Sequence, residues 1–93
     1  MFLGKRIKEL REEKALLQRQ LAAQLEIDSP LYSKIERGER RAKREQVIKL
    51  AKLLKVDENE LLTLWLAGRI YEIIKDEKVA PKAIEYISSK VTL

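Results

Sequence analysis

The residues best suited to chemistry in this chain are positively charged, and many of them lie in one short stretch. Residues 34–44 hold six Lys or Arg and two Glu, a local balance of +4, whereas the whole 93-residue chain carries +5. From residue 57 onward, five Lys or Arg stand against seven Asp or Glu, a balance of −2. Because Lys and Arg attract phosphate, this asymmetry predicts that one end of the molecule binds a polyanion.

The residue types that the chain lacks argue against metal sites and catalytic sites. The chain contains no cysteine and no histidine, so it offers neither thiolate nor imidazole ligands and no general base poised at neutral pH. Its serines therefore lack a histidine to activate them, and its carboxylates are scattered over basic helices. We expect no catalytic residues, no metal and no cofactor, and thus a protein that acts by binding rather than as an enzyme.

The length of the chain allows a single helical core but no separate ligand-binding domain. We therefore expect no small-molecule ligand. No apolar stretch has membrane-spanning length, and residues 1–3 run directly into a charged helix rather than into a signal peptide. The sequence predicts a cytoplasmic protein that does not bind membranes.

Two short helices joined by a tight turn are predicted over residues 18–38. Leu21 and Leu25 are four positions apart, and Tyr32 and Ile35 are three apart, so each helix carries one apolar stripe. The second helix then presents a polar face to solvent. A helix pair of this kind can place the basic residues against a long phosphate backbone.

This stretch resembles the helix-turn-helix of phage repressor and Cro-like regulators, the xenobiotic-response-element type. The resemblance is carried by Gln18, Leu21, Ala22, Leu25, Ile27, Ser33, Lys34, Ile35, Glu36, Arg37 and Gly38. It extends back to KELREEK and forward to VIKLAKLLKV, and covers roughly residues 4–66. It implies an all-α, five-helix DNA-binding domain over residues 1–66, with the second helix of the pair in the major groove.

The turn residues fit this arrangement with two departures. Asp28 or Ser29 can cap the second helix, and Pro30 suits its first turn, where a missing N–H breaks no helical bond. Leu17 stands where the family usually has a Ser or Thr cap. Glu26 stands where the family favours glycine because φ is positive, which costs a side chain of order 1 kcal/mol. Both departures predict a slightly altered turn.

The resemblance also assigns DNA-binding roles by position. Lys34 can donate to guanine, whereas Pro30 offers no hydrogen bond, so DNA shape would supply part of the specificity. Leu31 can touch a thymine methyl group or pack against Ile35 instead. The candidates for base contacts are Ser29, Pro30, Leu31, Ser33, Lys34 and Arg37. The candidates for phosphate contacts are Gln18, Arg19, Arg40, Arg41, Lys43 and Arg44.

One ion pair is implied beneath these contacts. In the family a basic residue at the position of Arg11 commonly pairs with the acid that matches Glu36. We expect a partly buried pair that fixes the first helix against the recognition helix; the alternative is two solvated surface charges. Tyr32 stands at a position that is usually aliphatic and buried, so we expect it in the core with its hydroxyl at the edge.

The remaining helices show core-facing stripes. These are Leu3, Ile7 and Leu10 in the first helix, Val47, Leu50, Ala51 and Leu54 in the fourth, and Leu61, Leu62 and Trp65 in the fifth. Gly38 fits the end of the recognition helix, and Asp57 can cap the fifth.

Residues 67–93 form a helical extension with more apolar residues than one small core can absorb. We expect it to pack on the same domain and to form a dimer interface. The interface candidates are Leu66, Ile70, Tyr71, Ile73, Ile74, Ile84, Ile87 and Val91. The alternative is a last helix, opened by Pro81, that folds back and only completes the monomer core. Gly68 predicts a close helix contact or a kink.

These features favour a homodimeric, sequence-specific transcription regulator that binds double-stranded DNA at two half-sites. Controller proteins of restriction–modification systems share this layout. The alternative is an antitoxin-type protein-binding module that regulates its own expression, with a toxin as its protein partner. RNA polymerase is another conceivable protein partner.

Overall fold

The computed structural model describes residues 2–91, and that part of the chain consists of helices joined by turns and short loops. Its helices are α1 (Phe2–Glu13), α2 (Gln18–Gln24), α3 (Ser29–Glu36), α4 (Arg44–Leu54), α5 (Glu58–Ile74) and α6 (Ala80–Ser88). The predicted all-α class is confirmed. No helix among the described residues is long and apolar enough to cross a membrane.

The core lies where the apolar stripes of the first five helices meet. α4 packs against α5, α2 against α3, and α1 against both α3 and α5. The largest fully buried side chains are Tyr32, Ile7, Leu50, Leu54, Leu61 and Val47. Leu62 and Trp65 pack against this core from its edge. The stripes predicted from spacing therefore hold the helix pair α2–α3 on a scaffold made by α1, α4 and α5.

The N-terminal ends of α2 and α3 are stabilised by side-chain hydrogen bonds. Asp28 caps α3, since its Oδ1 accepts from the Leu31 N–H at 2.7 Å. Leu17 provides no side-chain cap for α2, but Gln20 Oε1 accepts from the Leu17 N–H at 2.7 Å. Glu26 has a φ of 60°, as the family resemblance implied for this position. The turn therefore forms without the family's usual cap and glycine.

Gly4 allows α1 to approach the C-terminal end of α3 very closely. A Cβ atom at this position would lie 2.8 Å from the carbonyl oxygen of Ile35 and closer still to that of Glu36. Both obstacles are backbone atoms, which cannot rotate away. The lack of a side chain at Gly4 thus allows the short distance between the first helix and the recognition helix.

Gly68 lies in the middle of α5 and has the opposite surroundings. An added Cβ would meet no atom within 4 Å, and α5 continues through this residue to Ile74. Of the two alternatives at Gly68, a close helix contact or a kink, the close contact is not formed within the described chain, because an added side chain would face open space there.

α6 follows a short connection and leaves its apolar face uncovered. None of its residues is buried, and α6 forms no extensive packing with another described helix. Ile84 and Ile87 remain 46% and 55% exposed. Within the described residues, α6 therefore adds no buried side chain to the core. The interface expected for the extension stays a prediction.

Candidate nucleic-acid interface

A hydrogen-bonded network under α3 joins three helices. Arg11 donates from Nε to Glu36 Oε2 at 2.7 Å and from Nη2 to Oε1 at 3.0 Å. Gln18 Nε2 donates to the same Oε1 at 3.0 Å, and Arg11 Nη1 donates to the Leu16 carbonyl at 3.0 Å. The Arg11 and Glu36 side chains are only 11% and 2% exposed. The structure thus brings these residues together as a nearly buried pair, with Gln18 as a third member.

The charge state of this network follows from its surroundings. Burial alone would raise the pKa of Glu36, but the hydrogen bonds from Arg11 and Gln18 outweigh burial and hold that pKa below its ordinary value. Burial raises the pKa of Tyr32 strongly, and the negative charge of Glu36 adds to the shift. Glu36 is therefore ionised near neutral pH, and Tyr32 keeps its proton.

The position of the Tyr32 hydroxyl corrects one expectation. We expected the hydroxyl at the edge of the core, but Tyr32 is fully buried. Its Oη atom has no hydrogen-bond partner of suitable geometry among the described residues. The reason is that α1 covers this side of α3, so the ring and its hydroxyl are enclosed together.

The outward face of α3 carries the candidates for base contacts. Ser29, Pro30 and Lys34 are exposed, and Leu31 and Ser33 are half-buried. Leu31 lies outside the packed core of the described residues, which leaves its side chain near the surface. The face is therefore a small, mixed polar and apolar surface of the kind that can enter a major groove.

Arg37 also lies on this face, but it is bound to neighbours. Its Nε donates to Glu39 Oε2 at 2.6 Å, and its Nη1 donates to Ser33 Oγ at 2.5 Å. The hydrogen bond with Arg37 lowers the pKa of Glu39, and that with Glu39 raises the pKa of Arg37. Both side chains are about half exposed, so the pair is weak. Glu39 and Ser33 thus hold the Arg37 guanidinium in this position.

The loop between α3 and α4, together with the first residue of α4, carries most of the phosphate candidates. Arg40, Arg41 and Lys43 are exposed in the loop, Arg44 is exposed at the start of α4, and Arg19 is exposed on α2. Their charges point to solvent, as electrostatic binding of a polyanion requires.

A tryptophan holds this loop in place. Ala42 is buried within the loop, and its carbonyl oxygen accepts a hydrogen bond from Trp65 Nε1 at 2.8 Å. The guanidinium carbon of Arg44 lies 5.9 Å from the centre of the Trp65 ring, and that of Arg69 lies 5.1 Å away. Sequence reasoning placed Trp65 only in the core. The sequence feature that corresponds to its second role, the contact with the loop, is Ala42, a single small residue inside a run of charged residues.

Two lysines were missed as site candidates. Lys5 and Lys8 of α1 line the same cleft as Gln18, Ser33 and Arg37. Their spacing of three positions puts them on one face of α1, but only the packing of α1 against α3 shows that this face adjoins the candidate interface.

The candidate dimer residues remain at the surface of the described chain. Leu66, Ile70 and Ile73 follow helical spacing on α5 and are 51%, 46% and 77% exposed. Tyr71, Ile84, Ile87 and Val91 are also exposed, whereas Ile74 is half-buried. The Tyr71 ring contacts Phe2, with 5.5 Å between the ring centres. The extension thus presents an apolar surface away from the tightly packed core.

Comparison with known proteins agrees with the geometry. Residues 4–65 match the family model of a helix-turn-helix domain. No curated protein and no solved structure matches the chain. The matched region contains α1–α4 and the first part of α5, which are the elements that position α3 and the basic loop. Because the match covers more than half of the chain, the domain is of the DNA-binding regulator type, and the chain belongs to the helix-turn-helix domain family.

Proposed function

We propose that the protein is a dimeric, sequence-specific transcription regulator of the repressor and Cro-like type. α3 would enter the major groove, with two half-sites about one helical turn apart, roughly 34–36 Å. The observation that carries the proposal is the exposed face of α3, which is braced from beneath by the Arg11–Glu36 pair and flanked by an exposed basic loop.

The roles of individual residues follow from their exposure. Lys34 is exposed in the last turn of α3, and within residues 2–91 it forms no ion pair. It can therefore donate to guanine without first leaving a partner. The exposed arginines of the loop would bind phosphates and fix the orientation of the domain, but they would carry little sequence information.

The dimer is proposed from the uncovered apolar surface of the extension. Ile70 and Ile73 on α5 and Ile84 and Ile87 on α6 are too exposed to contribute much to the monomer. Exposed apolar side chains of this kind, carried by two consecutive helices, mark an interaction site. A two-fold symmetric dimer would cover it and would present two copies of α3 to one face of the DNA.

A more specific role is also proposed. Controller proteins of restriction–modification systems combine one helix-turn-helix domain with a short dimerising extension, and the order of elements here supports that role. The uncovered α6 equally supports a second candidate, an antitoxin-type module that binds a protein partner through this helix. The two candidates differ in what covers α6 in the purified protein. A controller protein would cover α6 with a second copy of the same chain, whereas an antitoxin-type module would not.

Selection of bound duplexes from a random DNA pool tests the proposal. The wild-type protein would be compared with Lys34→Ala and with the control Lys52→Ala, which removes an equal charge from the exposed side of α4. We expect a symmetric motif that relaxes at one base in Lys34→Ala and is unchanged in the control. A difference of about 1–3 kcal/mol between right and wrong base is normal for a good base contact.

Two results would contradict this function. Binding with no enriched motif would leave only electrostatic affinity for DNA. A monomer in sedimentation equilibrium, at concentrations where the motif is bound, would contradict the dimer and would favour the protein-binding module.

A further inference from the structure

A cleft beside the recognition helix contains residues for which the proposed function has no role. It lies between α1, the start of α2 and the second half of α3, and its volume is about 610 Å³. Its lining residues are Lys5, Lys8, Gln18, Ser33, Glu36, Arg37 and Glu39. Three of these, Gln18, Ser33 and Arg37, are candidates for DNA contacts. The two lysines adjoin them from a different helix.

The cleft is positive once its ion pairs are taken into account. Both of its carboxylates are already bound, Glu36 by Arg11 and Glu39 by Arg37. In the part of the chain that the structure describes, neither Lys5 nor Lys8 forms an ion pair. Two uncompensated ammonium groups therefore adjoin the polar side chains of α2 and α3. Such a concave, positive surface concentrates anions.

We propose that Lys5 and Lys8 bind neighbouring phosphate groups of the DNA backbone next to the recognition helix. This inference rests on the proposed function and adds α1 to the elements that contact DNA. The lysines are three positions apart on one helical face, so both can reach the same stretch of backbone. Because α1 is fixed to α3 through Gly4 and through the Arg11–Glu36 pair, this contact would set the angle at which α3 enters the groove.

The test is the salt dependence of DNA affinity. A mixed-sequence duplex of about two helical turns, roughly 20 base pairs, would be titrated with protein in filter-binding assays between 50 and 200 mM KCl. The variants are Lys5→Ala, Lys8→Ala and the double variant, with Lys52→Ala as the matched control for charge. Lys8→Arg keeps the charge at the site. Circular dichroism melting of every variant shows that the fold is intact.

We expect the slope of log affinity against log salt to decrease by about 1 for each phosphate group that a variant no longer binds. The double variant should therefore show the largest decrease, whereas Lys52→Ala and Lys8→Arg should keep the wild-type slope. Salt-dependent binding by the wild type with equal slopes in all variants would overturn this inference alone. Wild-type affinity that does not change with salt, or no binding, would overturn the proposed function and this inference with it.

Discussion

Two glycines in helices should respond in opposite ways to the same substitution. Alanine is favoured over glycine by about 1 kcal/mol in the interior of a helix. At Gly68 nothing opposes this gain, because an added Cβ meets no atom within 4 Å. We expect Gly68→Ala to stabilise the protein by roughly 0.5–1 kcal/mol.

At Gly4 the steric cost exceeds the gain. The new methyl group would overlap the backbone carbonyls of Ile35 and Glu36, so α1 must move away from α3. Overpacking of a core typically costs 1–3 kcal/mol, and rigid backbone on both sides puts this case at the upper end. The movement would also stretch the Arg11–Glu36 hydrogen bonds of 2.7 and 3.0 Å. After the gain in helix propensity is subtracted, we expect Gly4→Ala to cost about 2 kcal/mol.

Thermal melting followed by circular dichroism measures both effects. For a domain of this size, 1 kcal/mol corresponds to roughly 4–8 °C in Tm, so Gly4→Ala should melt about 8–16 °C lower. Gly68→Ala should melt a few degrees higher and serves as the control for helix propensity. If Gly4→Ala melted at or above the wild-type temperature, the close approach of α1 and α3 would be refuted.

Three further predictions concern the ion pairs. Arg11→Ala should lower the free energy of unfolding by about 3–5 kcal/mol, because it leaves the buried Glu36 carboxylate without its partner; an unchanged urea midpoint would contradict this. Because the pKa of Glu36 is lowered, the Glu36 carboxylate contributes fully to the free energy of unfolding above pH 4.5, the ordinary pKa of a glutamate. This contribution is lost as the pH falls below that value. Urea titrations from pH 7 to 3 should therefore show a steeper loss for wild type than for Glu36→Gln, and parallel curves would exclude this linkage. Glu39→Gln should raise DNA affinity about fivefold, because it frees Arg37 and removes a negative charge near phosphate; weaker binding in filter assays would show that Glu39 instead orients Arg37.

Local spacing was sufficient to predict the elements that make the site. The stripes in α2 and α3 and the Asp28 cap each depend on residues within a few positions of one another, whereas the positive φ of Glu26 was implied by the family resemblance. The Arg11–Glu36 pair joins residues 25 positions apart, and it could be anticipated only because the resemblance supplied the relation between α1 and α3.

Features that depend on long-range packing were not predictable in this way. Nothing near Gly4 in sequence shows that α3 ends against it, and nothing near Lys5 and Lys8 shows that their face adjoins the recognition helix. The hydrogen bond from Trp65 to the Ala42 carbonyl requires two helices and a loop to be placed first. The apolar face of α6 shows a related limit, since amphipathic spacing indicates that a helix has such a face but does not indicate what covers it.

The contact between Trp65 and the basic loop has a practical consequence. The chain contains one tryptophan, and its indole nitrogen is bound to the Ala42 carbonyl, inside the loop that carries the phosphate-binding candidates. The intrinsic fluorescence of the protein therefore comes mainly from a single indole ring whose surroundings change when that loop moves. Any event that draws the loop toward an anion should shift or quench this emission, so loop motion can be timed in a stopped-flow instrument without a dye.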